Sequence, residues 1–175
     1  MKRRLGESGI TLVEVGITVA ILGILAAISV PSFITMMLRI RLGGATQTLA
    51  NELAMARMAA IAKSIDGEVV VNKDTESYTI ARTVGGAPYA RTTLGSSVGI
   101  ESLTFGDEDD AGVTAPSPFA LHLNANGTTN VALQQKALRI ALATGDGAHK
   151  RRVLVWATGR IHTQKWAGGT SWVAD

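Results

Sequence analysis

The sequence predicts an α+β protein: one long N-terminal helix whose first half spans a membrane and whose second half lies on an antiparallel β domain. Three observations carry this reading. No charged side chain occurs from Val15 to Leu38. Apolar residues recur every three or four positions from Leu42 to Ala60. From Gly67 onward, short apolar runs alternate with turns rich in Gly, Asn and Asp. A chain of 175 residues accommodates one membrane element and one small domain. The 17 Lys and Arg nearly balance the 14 Asp and Glu, so charge alone points to no partner. The absence of cysteine excludes a disulfide framework and any Cys-ligated metal or redox centre.

The first half of the helix follows from length and polarity. About 20 apolar residues suffice to cross a hydrocarbon core as a helix. Lys2, Arg3 and Arg4 precede the run, so the N-terminus stays cytoplasmic and the rest of the chain lies outside the inner membrane. A cleaved signal peptide is the weaker reading: "AAISVPSF" offers poor small-x-small sites, and the helical pattern continues past them. Glu14 is the anomaly. A carboxylate costs about 2.5–3.5 kcal/mol at the centre of a membrane helix and less near an end, and such residues usually have a functional partner. Snorkelling to the interface would relieve the cost but leaves the preceding pattern, Gly9-Ile10-Thr11-Leu12-Val13-Glu14, unexplained.

That stretch, "GITLVEVGITVAILGILAAISVPSF", resembles the N-terminus of type IV pilins and type II secretion pseudopilins. The resemblance implies a type IV pilin-like fold and a basic leader, residues 1–9, removed by a prepilin peptidase. It places the cut between Gly9 and Ile10, with N-methylation of Ile10. Glu14 then matches the acid five residues into the processed chain. Ile10 stands where the family usually has Phe, and Pro31 falls where many pilins carry a kinking proline. The role of the acid follows physically. The new α-amine of Ile10 is cationic below its usual pKa of about 8. Paired at about 4 Å with Glu14 of a neighbouring subunit, at an effective dielectric near 20, it gains roughly 4 kcal/mol. Desolvation offsets much of that, so the pair sets register more than it adds stability. Gly16 and Gly23 narrow the helix at two levels, which permits close helix approach or reflects ordinary glycine usage in membrane helices.

The membrane helix is assigned to residues 10–38 and its amphipathic continuation to 39–66. Leu42, Ala45, Leu49, Leu53, Ala56 and Ala60 form the stripe, with Arg41, Gln47, Thr48, Asn51, Glu52 and Arg57 on other faces. Pro31 should kink the helix, and Gly43-Gly44 weakens it by about 1 kcal/mol per glycine. Residues 67–175 form the β domain. "EVVVNK" and "SYTIART" flank a turn at Asp74-Thr75-Glu76; "VGIESLTFG" is a further strand. "FALHLN" and "TTNVALQ" flank Asn126-Gly127, and "KALRIALAT" and "KRRVLVWAT" flank Gly145-Asp146-Gly147. "GRIHTQKW" follows Gly159. Six to eight strands are expected, in one sheet or two.

Two of these segments, "FALHLNANGTTN" and "RRVLVWATGRIHTQ", resemble recurrent segments of the GspH/FimT branch of pseudopilins and minor pilins, with Thr158-Gly159-Arg160 as the matching turn. Gly159 also reads as a turn residue needing positive φ. The resemblance implies a structural subunit whose partners are other pilin subunits, the prepilin peptidase and inner-membrane lipid.

No catalytic arrangement is recognisable. His122, His149 and His162 are scattered without zinc spacing, and "TGDGAHK" lacks the spacing of a phosphate loop. Asp107, Asp109 and Gly112 echo a calcium loop, but Ala111 and Pro118 stand at ligand positions, so a solvated acidic loop is the better reading. Asn126-Gly127-Thr128 fits a glycosylation acceptor, but the turn reading is preferred. No enzyme activity and no cofactor are expected.

Charge is distributed unevenly. Residues 100–110 hold five acids and no base, whereas seven Lys and Arg follow Ala111 against two acids. Three readings remain open: an ordinary solvated face, a basic region that meets the acidic loop of a neighbouring subunit, and a surface for DNA phosphates. The resemblance bears on the last, because FimT-type minor pilins act in natural transformation and their DNA-binding members carry a basic motif beginning Gly-Arg. Gly159-Arg160-Ile161-His162 keeps the first arginine and has histidine in place of the second. On that reading Lys150, Arg151, Arg152, Arg160, His162 and Lys165 would bind DNA, provided they share a face.

Overall fold

The computed structural model describes residues 11–108, 112–168 and 171–175. One helix, α1 (Leu12–Lys63), precedes ten strands among these residues. The strands are β1 (Gly67–Asn72), β2 (Ser77–Ala81), β3 (Pro88–Thr93), β4 (Val98–Phe105), β5 (Val113–Thr114), β6 (Phe119–Leu123), β7 (Ala137–Thr144), β8 (Lys150–Trp156), β9 (Ile161–Gly168) and β10 (Ser171–Ala174). The chain divides into two compact units between Met37 and Leu38.

In the first unit α1 starts with the Thr11 hydroxyl accepting a hydrogen bond from the Glu14 backbone N–H, 3.2 Å away. This satisfies one of the donors left free at a helix start. The helix runs through Pro31 without a break. Its large apolar side chains are exposed all round, from Leu12 to Met36. A helix apolar on every side requires an apolar environment, and α1 is long and apolar enough to cross a membrane.

In the second unit the predicted stripe is the buried one: Leu42, Leu49, Leu53, Ala56 and Ala60 are each at most 7 % exposed, and Ala45 is partly buried against the same core. They share one apolar core with Val69, Val71 and Ile80 of β1 and β2, and with Val98, Ile100, Leu138, Ile140, Leu142, Val153 and Val155 of β4, β7 and β8. The strands form two antiparallel sheets, ordered β3-β2-β1-β6 and β10-β9-β8-β7-β4-β5. Gly43 lies under the Arg151 guanidinium, where an added Cβ would stand 3.4 Å from Cζ. The helical weak point thus gives a sheet side chain room to lie along α1.

Three strands escape sequence reading. β3 is an edge strand whose residues are exposed or half-buried, so it lacks apolar alternation. β5 is two residues long, and β10 is a four-residue edge strand, mostly exposed. Among the described residues there are ten strands in two sheets, where six to eight were expected.

"TTNVALQ" corrects the prediction in the other direction: it is not a strand. Only Thr129 bridges Leu123, and residues Leu133–Gln135 form a 3-10 turn. The Asn126-Gly127 turn is present, with Gly127 at φ +83° and its N–H donating to the Asn124 carbonyl. Beyond it the backbone bonds elsewhere: the Thr129 N–H donates to the Ala157 carbonyl at 2.9 Å. The Asn130 side chain takes the place of a strand along the free edge of β6. Its Oδ1 accepts from the His122 N–H at 2.9 Å, and its Nδ2 donates to the Ala120 carbonyl at 2.9 Å.

Tyr78 on β2 is 2 % exposed. Burial pushes its phenol from 10.0 up to about 12; a hydrogen bond with Thr92 opposes this, and the Glu52 carboxylate adds to it. The fold therefore favours the protonated phenol. Its contribution is fully present below pH 10 and is lost as pH rises towards 12. Denaturant unfolding between pH 9 and 12 should show stability falling over that window, and Tyr78→Phe should abolish the part owed to this group.

Candidate functional site

Two regions hold the residues singled out from sequence. The first is the start of α1. Gly9 and Ile10 lie outside the described residues. Glu14 is exposed, in the first turn of the helix. Its backbone N–H is held by Thr11, and its carbonyl accepts from the Thr18 hydroxyl at 2.7 Å. Thr11-Leu12-Val13-Glu14 also has the Thr-x-x-Glu spacing of a capping box. Glu14 is thus favourably placed for the positive end of its own helix. That signal was readable in the sequence.

The second region is the basic C-terminal half. The condition that its five cations and His162 share a face is not met. Strand alternation puts Arg151, Val153 and Val155 on the face toward the α1 core, and Lys150, Arg152, Leu154 and Trp156 on the other. Register pairs Arg151 with Lys165, and Leu154 with His162. Lys165 therefore joins Arg151, while His162 lies on the opposite face.

Arg152 is 5 % exposed. Its Nε donates to Gln164 Oε1 at 2.7 Å, its guanidinium lies 4.3 Å from the centre of the Trp172 ring, and Nη2 donates to the Glu108 carbonyl. It is a buried structural side chain and cannot meet DNA phosphates. Arg160 lies 5.1 Å from the Trp156 ring centre, and His162 is 6.4 Å from the same ring. Trp156 is half-buried and belongs to this surface group; as an apolar-strand residue it reads from sequence as core.

The acidic run and the basic half meet within one chain. Arg139, 3 % exposed, donates from Nη1 to the Asp107 carbonyl at 3.0 Å, from Nη2 to the Phe105 carbonyl at 3.3 Å, and from Nε to the Thr104 hydroxyl at 3.2 Å. Lys136 Nζ lies 3.2 Å from Asp107 Oδ2. Lys136, Arg139 and Arg152 thus engage the segment that the sequence reading offered to a neighbouring subunit. Asp109, Asp110 and Ala111 lie outside the described residues, and no metal-binding cluster occurs among those described.

Arg57 of α1 is a functional-looking residue that sequence reading left as a surface charge. Its Nε donates to the Gly127 carbonyl at 2.7 Å and its Nη2 to the Thr158 carbonyl at 3.4 Å. It ties together the turns of both GspH/FimT-like segments. Gly159 follows, at φ +77°, with its Cα against Arg57 and the Gly127 carbonyl, where any side chain would clash.

The remaining cations gather at the start of β8. Arg39, His149, Lys150, Arg151 and Lys165 line a cleft of about 330 Å³ together with Leu42 and Trp166. Arg39 Nε donates to His149 Nε2 at 2.9 Å. Lys150 pairs with Glu101, and Arg151 with Asp175. Sequence reading named Lys150, Arg151 and Lys165 but missed Arg39 and His149, which are 110 positions apart.

No family model matches the sequence, and no curated protein matches it either. Solved structures do match in fold. The minor pseudopilin EpsH from the type 2 secretion system of Vibrio cholerae superposes with a TM-score of 0.55 at 15 % identity, over 73 % of this chain and 99 % of that one. A second structure of EpsH gives 0.53 at 18 % identity, over 75 % and 96 %. The type IV minor pilin FimU of Pseudomonas aeruginosa gives 0.50 at 20 % identity, over 70 % and 87 %. The fold is therefore pilin-like: a long N-terminal helix packed, through its second half, on antiparallel sheets.

Proposed function

We propose that this chain is a minor pseudopilin or minor pilin of the GspH/FimT type, an inner-membrane subunit that joins a type II secretion pseudopilus or a type IV pilus. The observation that carries the proposal is the conjunction of two independent features. The N-terminal stretch resembles a prepilin leader and assembly helix, and the fold is the one shared with EpsH and FimU. Either feature alone fits other proteins.

The mechanism is assembly, with no chemistry on a substrate. A prepilin peptidase cuts between Gly9 and Ile10 and methylates Ile10. The subunit stays anchored by its apolar helix, N-terminus cytoplasmic and β domain periplasmic, until it joins the filament. The Ile10 amine of one subunit pairs with Glu14 of another, setting register between helices. Exposed Met55, Met58 and Ile61 on α1 give neighbouring subunits a further apolar surface.

Processing is directly measurable. Loss of residues 1–9 removes Lys2, Arg3, Arg4 and Glu7, so the formal charge falls from +3 to +1. Intact-mass analysis of protein from its own host should find a chain beginning at N-methylated Ile10. A chain retaining Met1, or cut near Pro31, refutes the assignment.

A further inference from the structure

We infer that the cleft lined by Arg39, His149, Lys150, Arg151, Lys165 and Trp166 binds the phosphate of an anionic phospholipid headgroup at the outer surface of the inner membrane. The inference rests on reading Val15–Leu38 as the membrane span.

Charge is the first argument. Glu101 and Asp175 neutralise Lys150 and Arg151. Among the described residues no acid pairs with Arg39 or Lys165. Two cations therefore remain for a ligand. Among the described residues Arg39 is held to His149 through Nε alone, so both its Nη groups can fork onto phosphate oxygens.

Position is the second argument. The charge-free run is 24 residues, about 36 Å at a helical rise of about 1.5 Å per residue. A hydrocarbon core is about 30 Å thick, with headgroup layers beyond it. Arg39 is the first charged residue after the run, so it falls at headgroup depth. The hydrogen bond to His149 makes Arg39 part of the cleft, so a headgroup that Arg39 meets also meets the cleft.

Composition is the third. Leu42 and Trp166 border the cleft, the Trp166 ring packing edge-on against Trp172 at 5.0 Å, and tryptophan is enriched at membrane interfaces. Duplex DNA fits this cleft poorly. It needs a row of cations on one open surface, whereas Arg152 is buried and His162 lies on the opposite face of the sheet.

The test uses the full chain in detergent, with bound lipid read by native mass spectrometry. Phosphatidylglycerol and phosphatidylcholine of matched acyl chains are the probes. About 1 kcal/mol per cation near an anionic surface corresponds to roughly fivefold each. Two free cations thus predict retention of phosphatidylglycerol on the order of tenfold or more above phosphatidylcholine. Arg39→Gln combined with Lys165→Gln should bring the ratio near one, with the thermal melt unchanged. Lys73→Gln, on an exposed turn, should leave it unaltered. Equal retention of both lipids by the wild-type chain overturns the inference, as does an unchanged ratio in the double variant. Displacement of the lipid by submillimolar glycerol phosphate would mean a site for soluble phosphate and overturns it too. So would binding of a 20-base-pair duplex that the double variant abolishes, without any lipid preference. Carbonate extraction of native membranes tests the span separately. Release of the protein removes the membrane reading, whereas failed lipid selectivity in a carbonate-resistant protein removes the lipid site alone.

Discussion

Glu14→Ala should all but eliminate the protein from sheared filaments while leaving its level in the inner membrane unchanged. The substitution touches neither the apolar length needed for insertion nor the β domain. It removes the only acid between Thr11 and Leu38, and with it the sole carboxylate partner that this segment of a neighbour offers an incoming Ile10 amine. Two roles for the side chain have to be separated, because Thr11-Leu12-Val13-Glu14 also stabilises the helix start locally. Glu14→Gln separates them. Glutamine keeps the capping geometry and loses the charge, so it should fail in assembly as alanine does. If Glu14→Gln assembles normally and Glu14→Ala does not, helix capping is the role and pairing between subunits is refuted. Quantifying each variant in filament and membrane fractions decides it.

Arg139→Ala should destabilise the β-rich domain, begun near Leu42, by about 3–5 kcal/mol. The side chain is almost wholly buried, and its Nε, Nη1 and Nη2 donate to the Thr104 hydroxyl and the Asp107 and Phe105 carbonyls. Removing it leaves buried acceptors unsatisfied, each costing about 1–3 kcal/mol, and releases the acidic segment. For a domain of this size the melting temperature should fall by about 10 °C or more. Arg139→Lys keeps the charge but cannot span the same acceptors, so it should recover only part of the loss. A change under about 1 kcal/mol for the alanine variant would show that the segment is not held from the sheet.

What was legible follows from which forces leave a periodic mark. The stripe from Leu42 to Ala60 was readable because a helix packed on a sheet buries every third or fourth residue. β1, β2, β4, β6, β7, β8 and β9 were readable because runs of apolar residues ended at strong turns. β3 and β10 have little buried side chain and leave no such mark. "TTNVALQ" failed because its apolar residues enter the core from an irregular path, with Val131 3 % exposed and Leu133 80 % exposed. The basic half misled for a different reason. Composition counts charges without regard to face, and a period of two sends consecutive cations of β8 to opposite sides. Arg152 reads as surface and is buried, because Gln164, Trp172 and the Glu108 carbonyl lie close only after folding. Arg39 and His149 are joined by tertiary structure alone.

The Asn130 amide that closes the free edge of β6 has a consequence for a protein packed at high density. An open edge offers unpaired N–H and C=O groups to any chain beside it, and identical domains held side by side are the worst case for runaway strand addition. Here the outward groups of His122 and Ala120 are already occupied. The other edges are guarded by brevity or sequence: β5 has two residues, β10 four, and β3 carries Pro88 and Arg91. In the proposed filament such a domain can stand beside its copies without fusing to them, which leaves the contacts that hold subunits together to the helices.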